Sequence, residues 1–149
     1  MISVVFDTNI YVQAMLGQNG PAYECIQIAS RGEVRLFAAR SIFVEISDVI
    51  SRPRLIHKYP VLTTERSAMI LRSAAAQAEI VSEVPQVFRI DRDPDDDIFV
   101  NLAIAVKADY LVSRDKDLSE LMLDSEFTSR YPYLKIVNPF EFLQAVRAK

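Results

Sequence analysis

The chain has one cysteine and one histidine in 149 residues. Cys25 alone can form neither an internal disulfide nor a zinc site, and with only His57 to join it no zinc cage can be built. Cys25 lies in an apolar run with Ile26, Ile28 and Ala29 and reads as a small buried hydrophobe. His57, between Ile56 and Lys58, reads as structural or exposed. Also missing is any apolar stretch approaching the roughly 18 to 20 residues that span a bilayer. The amino terminus lacks the basic-then-apolar layout of a secretory signal. The expectation is a cytoplasmic protein without membrane contact. A basic excess is absent too: the net charge is -3, which argues mildly against a nucleic-acid partner.

What is present tempers that last exclusion, because the charge is segregated. Residues 31–58 hold Arg31, Arg35, Arg40, Arg52, Arg54 and Lys58 against Glu33, Glu45 and Asp48. Residues 91–97 hold five aspartates and one arginine. An acidic knot that takes up divalent cations loses much of its repulsion for phosphate. Half of the residues are hydrophobic and a quarter charged, enough for one globular domain over residues 1–149 with a real core.

Apolar runs and helical periods alternate along the chain. Residues 2–6 form a β-branched and aromatic run, the pattern of a strand buried on both faces. Residues 21–29 read as a helix with Pro21 near its start, and residues 35–38 as a second strand. Ser41 caps an expected helix over residues 41–50, closed by the Arg52-Pro53 step. An alanine-rich helix over residues 64–79 leads to a strand at 80–84. Asp93 and Pro94 open a helix over 93–107, followed by a buried strand at 110–113. A short helix at 118–122, a strand at 135–137 and a helix at 139–146 complete the series. This alternation implies a three-layer α/β/α sandwich with a mainly parallel central sheet, whose ligands belong at the carboxyl ends of the strands.

Four sets of acids fall at or near such ends. Asp7 directly follows the first strand; the alternative is that it caps the next helix. Glu45 has Ile42 and Val49 as same-face neighbours, so it is expected on an apolar face, compensated either by a cation or by a pair with Arg40 or Arg52. Asp48 falls towards the polar side of that helix. Asp91, Asp93, Asp95, Asp96 and Asp97 exceed what a cap and helix dipole require; their mutual repulsion points to a cation as partner, the alternative being a solvated acidic turn. Projecting the apolar stripe Phe99, Val100, Ala103 and Val106 backwards favours Asp96 as the ligand, with Asp97, aligned with Asn101, as second choice. Asp115 follows the strand at 110–113 as Asp7 follows the first. Asp117 reads as the cap of the next helix and is a second choice as ligand.

Oxygen donors without histidine or cysteine suit Mg²⁺ or Mn²⁺. Ions held by carboxylates activate water, or clamp the attacking and leaving oxygens of a phosphodiester during in-line hydrolysis.

In its segments Val4-Val5-Phe6-Asp7-Thr8-Asn9-Ile10, Glu45, Asp93-Pro94-Asp95-Asp96-Asp97-Ile98-Phe99-Val100 and Ala108-Asp109-Tyr110-Leu111-Val112-Ser113-Arg114-Asp115-Lys116-Asp117-Leu118, the sequence resembles the PIN-domain family. The likeness is strongest to the VapC-like toxins of type II toxin-antitoxin systems. That resemblance implies a parallel sheet between helices, an acidic Mg²⁺ or Mn²⁺ site, and an endoribonuclease acting on single-stranded RNA. It further implies an antitoxin protein as partner and a homodimer; the alanine-rich run at residues 74–78 offers a surface for the latter. Asp7, Glu45, Asp96 and Asp115 match the family's acidic quartet. Asn9 matches a supporting position, and Ser113 takes the small hydroxyl place before the last acid. Arg114 stands where many relatives have glycine.

Competing readings make different demands. A phosphatase with Asp7 as nucleophile would lack its usual second acid, since Asn9 stands in that place. A phosphoreceiver module needs a lysine after a strand, whereas Lys135 precedes one. A non-catalytic partner-binding domain would not need acids at all four places.

Overall fold

The computed structural model describes residues 1–17, 19–90 and 97–148. Among them, five strands form one all-parallel sheet: β1 (Ser3–Phe6), β2 (Arg35–Ala39), β3 (Glu79–Val81), β4 (Tyr110–Val112) and β5 (Lys135–Val137), in the order β3-β2-β1-β4-β5. β1 is central because its apolar run needs cover on both faces, and Val4, Val5 and Phe6 are fully buried. Pairing sets Val5 beside Phe37 on one side and beside Leu111 on the other, and Phe6 beside Val112. The chain winds outward from β1 to β3, then returns to the other side of β1, so the order reverses between β1 and β4. In an open parallel sheet, the carboxyl end of that reversal is the crevice where ligands bind.

Between β1 and β2 run α1 (Thr8–Leu16) and α2 (Pro21–Ser30). Between β2 and β3 lie α3 (Arg40–Ile50), α4 (Pro53–Lys58) and α5 (Thr64–Gln77). The last helix, α9 (Pro139–Arg147), joins α2 and lies against β4. α6 (Asp97–Ala105) returns the chain across β1, β2 and β4. α7 (Lys116–Ser119), a 3-10 turn (Glu120–Leu123) and α8 (Ser125–Arg130) lead to β5. Right-handed crossovers place the outward and returning helices on opposite faces, which gives the three layers. Among the described residues, no helix is long and apolar enough to cross a membrane.

Aromatic rings tie the layers together. Phe6 meets Tyr11 and Phe142 edge-on at 5.9 and 6.0 Å, and Phe88 meets Phe127 at 5.1 Å. α9 is fixed at its start by a capping box, with Asn138 accepting from the Glu141 N–H at 2.8 Å and the Glu141 carboxylate accepting from the Asn138 N–H at 3.0 Å.

Several local expectations are corrected. α3 begins one residue earlier than expected, with Ala39 at the cap position and no side-chain cap bond, so Ser41 is not the cap. The helix follows β2 without a loop, and its first turn is oriented by the strand. Thr63 caps α5 by accepting from the Arg66 N–H at 3.1 Å. The strand expected at 80–84 is the shorter β3, an edge strand anchored by the Arg35 guanidinium on the Glu79 carboxylate. α4 and α8, of six residues each, carry too little period to be read from sequence. Asp93, Pro94 and the helix start assigned to them lie outside the described residues.

Candidate active site

The register of the sheet builds the centre of the site. Phe6 pairs with Val112, so the next residue of each strand, Asp7 and Ser113, come side by side where the sheet stops. The Asp7 N–H extends the ladder to the Val112 carbonyl at 3.1 Å, and the Ser113 N–H reaches the Val137 carbonyl at 2.9 Å. Asp7 is 4% exposed and Ser113 2%.

Asp7 is both a cap and a site acid. Its Oδ1 accepts from the N–H groups of Asn9 at 2.7 Å and Ile10 at 3.3 Å at the start of α1, while its Oδ2 accepts from the Ser113 hydroxyl. The Ser113 Oγ in turn accepts the Asp115 N–H at 3.0 Å. Burial pushes the Asp7 carboxyl above its ordinary range. The bonds from Ser113, Asn9 and Ile10 oppose that rise, and the charge of Asp115 adds to it. Two groups beside Asp7 hold buried oxygens without hydrogen-bond partners among the described residues: Thr8 Oγ1 and the Tyr11 hydroxyl. Burial, then the charge of Asp7, raises the Tyr11 phenol, so it stays a neutral O–H.

Asp115 caps α7 by accepting the Asp117 N–H at 2.8 Å. The expectation that Asp117 is the cap is therefore corrected: Asp117 lies in the first turn. Asp115 leaves its strand two residues earlier and reaches the N–H that a cap must satisfy.

Glu45 is exposed, which corrects its expected place on an apolar face. The buried side of α3 is set by Ile42 and Ile46. Glu45 is turned by about 100° from Ile46, and Val49 is only half-buried. Neither expected pair forms: Arg52 meets Asp48 at 3.3 Å, and among the described residues Glu45 has no ion pair.

Of the acidic run, Asp91, Asp93, Asp95 and Asp96 lie outside the described residues. Asp97 is 3% exposed at the start of α6. α6 runs back along the sheet towards the amino end of β4, so its first residue stands at the same edge as Asp7. The Asp97 Oδ1 accepts the Ile90 N–H, while its Oδ2 is buried without a hydrogen-bond partner among the described residues. Asn101, one turn on and 2% exposed, grips the incoming chain. Its Oδ1 accepts from the N–H groups of Val87 and Phe88 at 2.8 Å each, and its Nδ2 donates to the Phe88 carbonyl at 2.8 Å and the Asp97 carbonyl at 2.9 Å. Asn101 aligns with Asp97 in the sequence, but that alignment alone assigns it no role. An asparagine on so apolar a helix was the available signal. Because α6 is buried on most sides, with Asp97, Phe99, Val100, Asn101, Leu102 and Ala103 all inside, projecting an apolar stripe cannot separate Asp96 from Asp97.

The donors at this edge are oxygens, the chemistry of Mg²⁺ or Mn²⁺, and the orphaned Asp97 Oδ2 is a buried carboxylate oxygen of the kind such an ion takes. Among the described residues, no three acids stand close enough together to enclose an ion.

Known proteins share this architecture. A family model described as a PIN domain matches residues 3–117. An uncharacterized protein of Methanocaldococcus jannaschii is 28% identical over 144 residues, covering 96% of this chain and 90% of its own. The crystal structure of VapBC2 from Rickettsia felis, bound to a DNA fragment from their promoter, contains a chain similar at TM-score 0.56 and 16% identity, over 92% of this chain and 98% of that one. PAE2754 from Pyrobaculum aerophilum is similar at TM-score 0.58 and 12% identity, over 99% of this chain and 91% of its own. The two structures share the fold, and the match over residues 3–117 spans β1, β4 and the acids at their ends: the chain belongs to the PIN domain family.

Proposed function

We propose that the protein is a Mg²⁺- or Mn²⁺-dependent endoribonuclease that cleaves single-stranded RNA, and that it is the toxin of a toxin-antitoxin pair in the cytoplasm. The observation that carries this reading is the pairing of Asp7 and Asp115 through Ser113 at the point where strand order reverses. Two acids at a ligand-binding edge, one of them buried, would be stabilised as anions by a cation held there. Asp7, Asp115, Glu45 and Asp96 would hold the ion, with Asp97 and Asp117 as second choices, and the ion would supply an activated water and charge neutralisation at phosphorus. Ser113 and Asn9 orient Asp7, one through its hydroxyl and the other through its backbone N–H. Glu45 is exposed on α3, and Asp97 offers a buried carboxylate oxygen without a hydrogen-bond partner among the described residues.

Family membership supports a nuclease, and the VapBC2 likeness supports an antitoxin as partner. A homodimer is also proposed, although not through the start of the alanine run: Ala74 is fully buried within the protomer, in a helix packed on α2.

Incubation of metal-stripped protein with labelled single-stranded RNA tests the reading. Cleavage restored by Mg²⁺ or Mn²⁺ and abolished by chelation supports it. No cleavage with either ion, in protein free of any partner, overturns it. A covalent aspartyl-phosphate would instead identify Asp7 as a phosphatase nucleophile.

A further inference from the structure

A groove of about 510 Å³ opens between α1, the end of α3 and α4, with Asn9 among its lining residues. Its floor is apolar, made by Val12, Leu16, Val49 and Leu55. Its charged lining residues are all cations: Arg52, Arg54 and Lys58. Arg52 is shared with Asp48 at 3.3 Å, whereas among the described residues neither Arg54 nor Lys58 has an ion pair. Lys58 rests over the Tyr59 ring at 5.4 Å, which holds its ammonium at the rim. Asn9 joins this groove to the candidate active site, since its N–H is bonded to the Asp7 carboxylate at 2.7 Å. In a chain of net charge -3, a cationic lip beside the acidic edge is the reverse of the average surface.

We infer that this groove carries the single-stranded RNA segment flanking the scissile phosphodiester, an inference that rests on the ribonuclease reading above. Phosphates lie along Arg54 and Lys58, where charge complementarity holds them. The apolar floor receives the faces of unpaired bases, which a duplex keeps stacked inside. The groove thereby selects single strands and delivers the chain to Asp7.

The test uses the whole protein in Ca²⁺ and a short fluorescein-labelled oligouridylate, with affinity read by anisotropy as a function of salt. Arg54→Ala and Lys58→Ala are exposed changes that leave the core intact. Each is expected to weaken binding about five-fold at 0.1 M salt and to lower the logarithmic salt slope by about 0.7, the increment for one phosphate contact on a single strand. The double variant should lose about 25-fold, a duplex of the same length should bind more weakly, and Lys135→Ala, at the far edge of the sheet, should change nothing. In Mg²⁺ the same pair should raise KM and leave kcat in place. Unchanged affinity in the double variant, or no binding by wild type, overturns the groove assignment; unchanged affinity also leaves the groove to an acidic helix of a protein partner. The ribonuclease reading fails separately, through absence of cleavage by wild type in Mg²⁺ or Mn²⁺.

Discussion

The Ser113 hydroxyl donates to the Asp7 carboxylate while its oxygen accepts the Asp115 N–H. One small side chain thus ties the Asp7 carboxylate to the Asp115 backbone, while the charge of Asp115 pushes against that of Asp7. Removing it leaves a buried carboxylate with less compensation. Ser113→Ala should cost about 1.5 to 3 kcal/mol, the range for hydrogen bonds to charged groups, measured by urea denaturation at neutral pH. It should also raise the Asp7 carboxyl further, because that bond opposes the effect of burial.

The Asp7 carboxyl is held above its ordinary value of 3.8, mainly by burial. The folded state therefore holds the proton more tightly than the unfolded chain. The stability this contributes is complete below 3.8 and is lost as pH rises through the folded value. Asp7→Asn keeps a good cap residue and removes the charge. In metal-free buffer it should melt above wild type at pH 7, with the gap closing as pH falls below 4. A variant that melts below wild type at pH 7, with the deficit closing as pH falls below 4, would show that the charged Asp7 stabilises the fold.

Asn101 makes three hydrogen bonds to the backbone that enters the acidic run and a fourth to the Asp97 carbonyl of its own helix. Asn101→Ala should cost about 1 to 3 kcal/mol for the buried groups left unpaired. Faster amide exchange at Val87 and Phe88 should accompany the loss, since their N–H groups would pass to water. Exchange unchanged at both positions would show that the clamp does not form.

Cys25 is buried, and its thiol is pushed up to about 12 by desolvation, with Glu24 adding to the shift and Arg114 opposing it. The native protein should resist maleimide at pH 8 and react only on unfolding. Rapid native labelling would contradict this burial.

Two acids of the candidate site can be proposed from sequence because each follows a continuous apolar run. Val4, Val5 and Phe6 announce a doubly covered strand, and Leu111 and Val112 announce its neighbour, so Asp7 and Asp115 follow from patterning. Their link through Ser113 depends on strand register, which no local pattern carries; only the pairing of Phe6 with Val112 brings the three residues together. Glu45 was misplaced because α3 has a narrow apolar stripe, and a residue one step from Ile46 passes from core to solvent. Asp115 took the cap expected of Asp117 because the turn after β4 is shorter than the helix period suggested. The apolar stripe of α6 does not rank Asp96 against Asp97, because the helix is apolar nearly all round.

The central claim is that the carboxyl-edge acids carry hydrolysis. Its most direct test is the rate of single-stranded RNA cleavage in Mg²⁺ or Mn²⁺ by folded Asp7→Asn, Glu45→Gln, Asp96→Asn, Asp97→Asn and Asp115→Asn, with Asp48→Asn on the solvent side of α3 as control. Asp7→Asn and Asp115→Asn should each lower the rate about 10²- to 10³-fold, the scale of losing roughly 3 to 4 kcal/mol of transition-state stabilisation. Glu45→Gln and one of the Asp96 and Asp97 variants should join them, while Asp48→Asn should stay near wild type. Wild-type rates in both Asp7→Asn and Asp115→Asn would contradict the account.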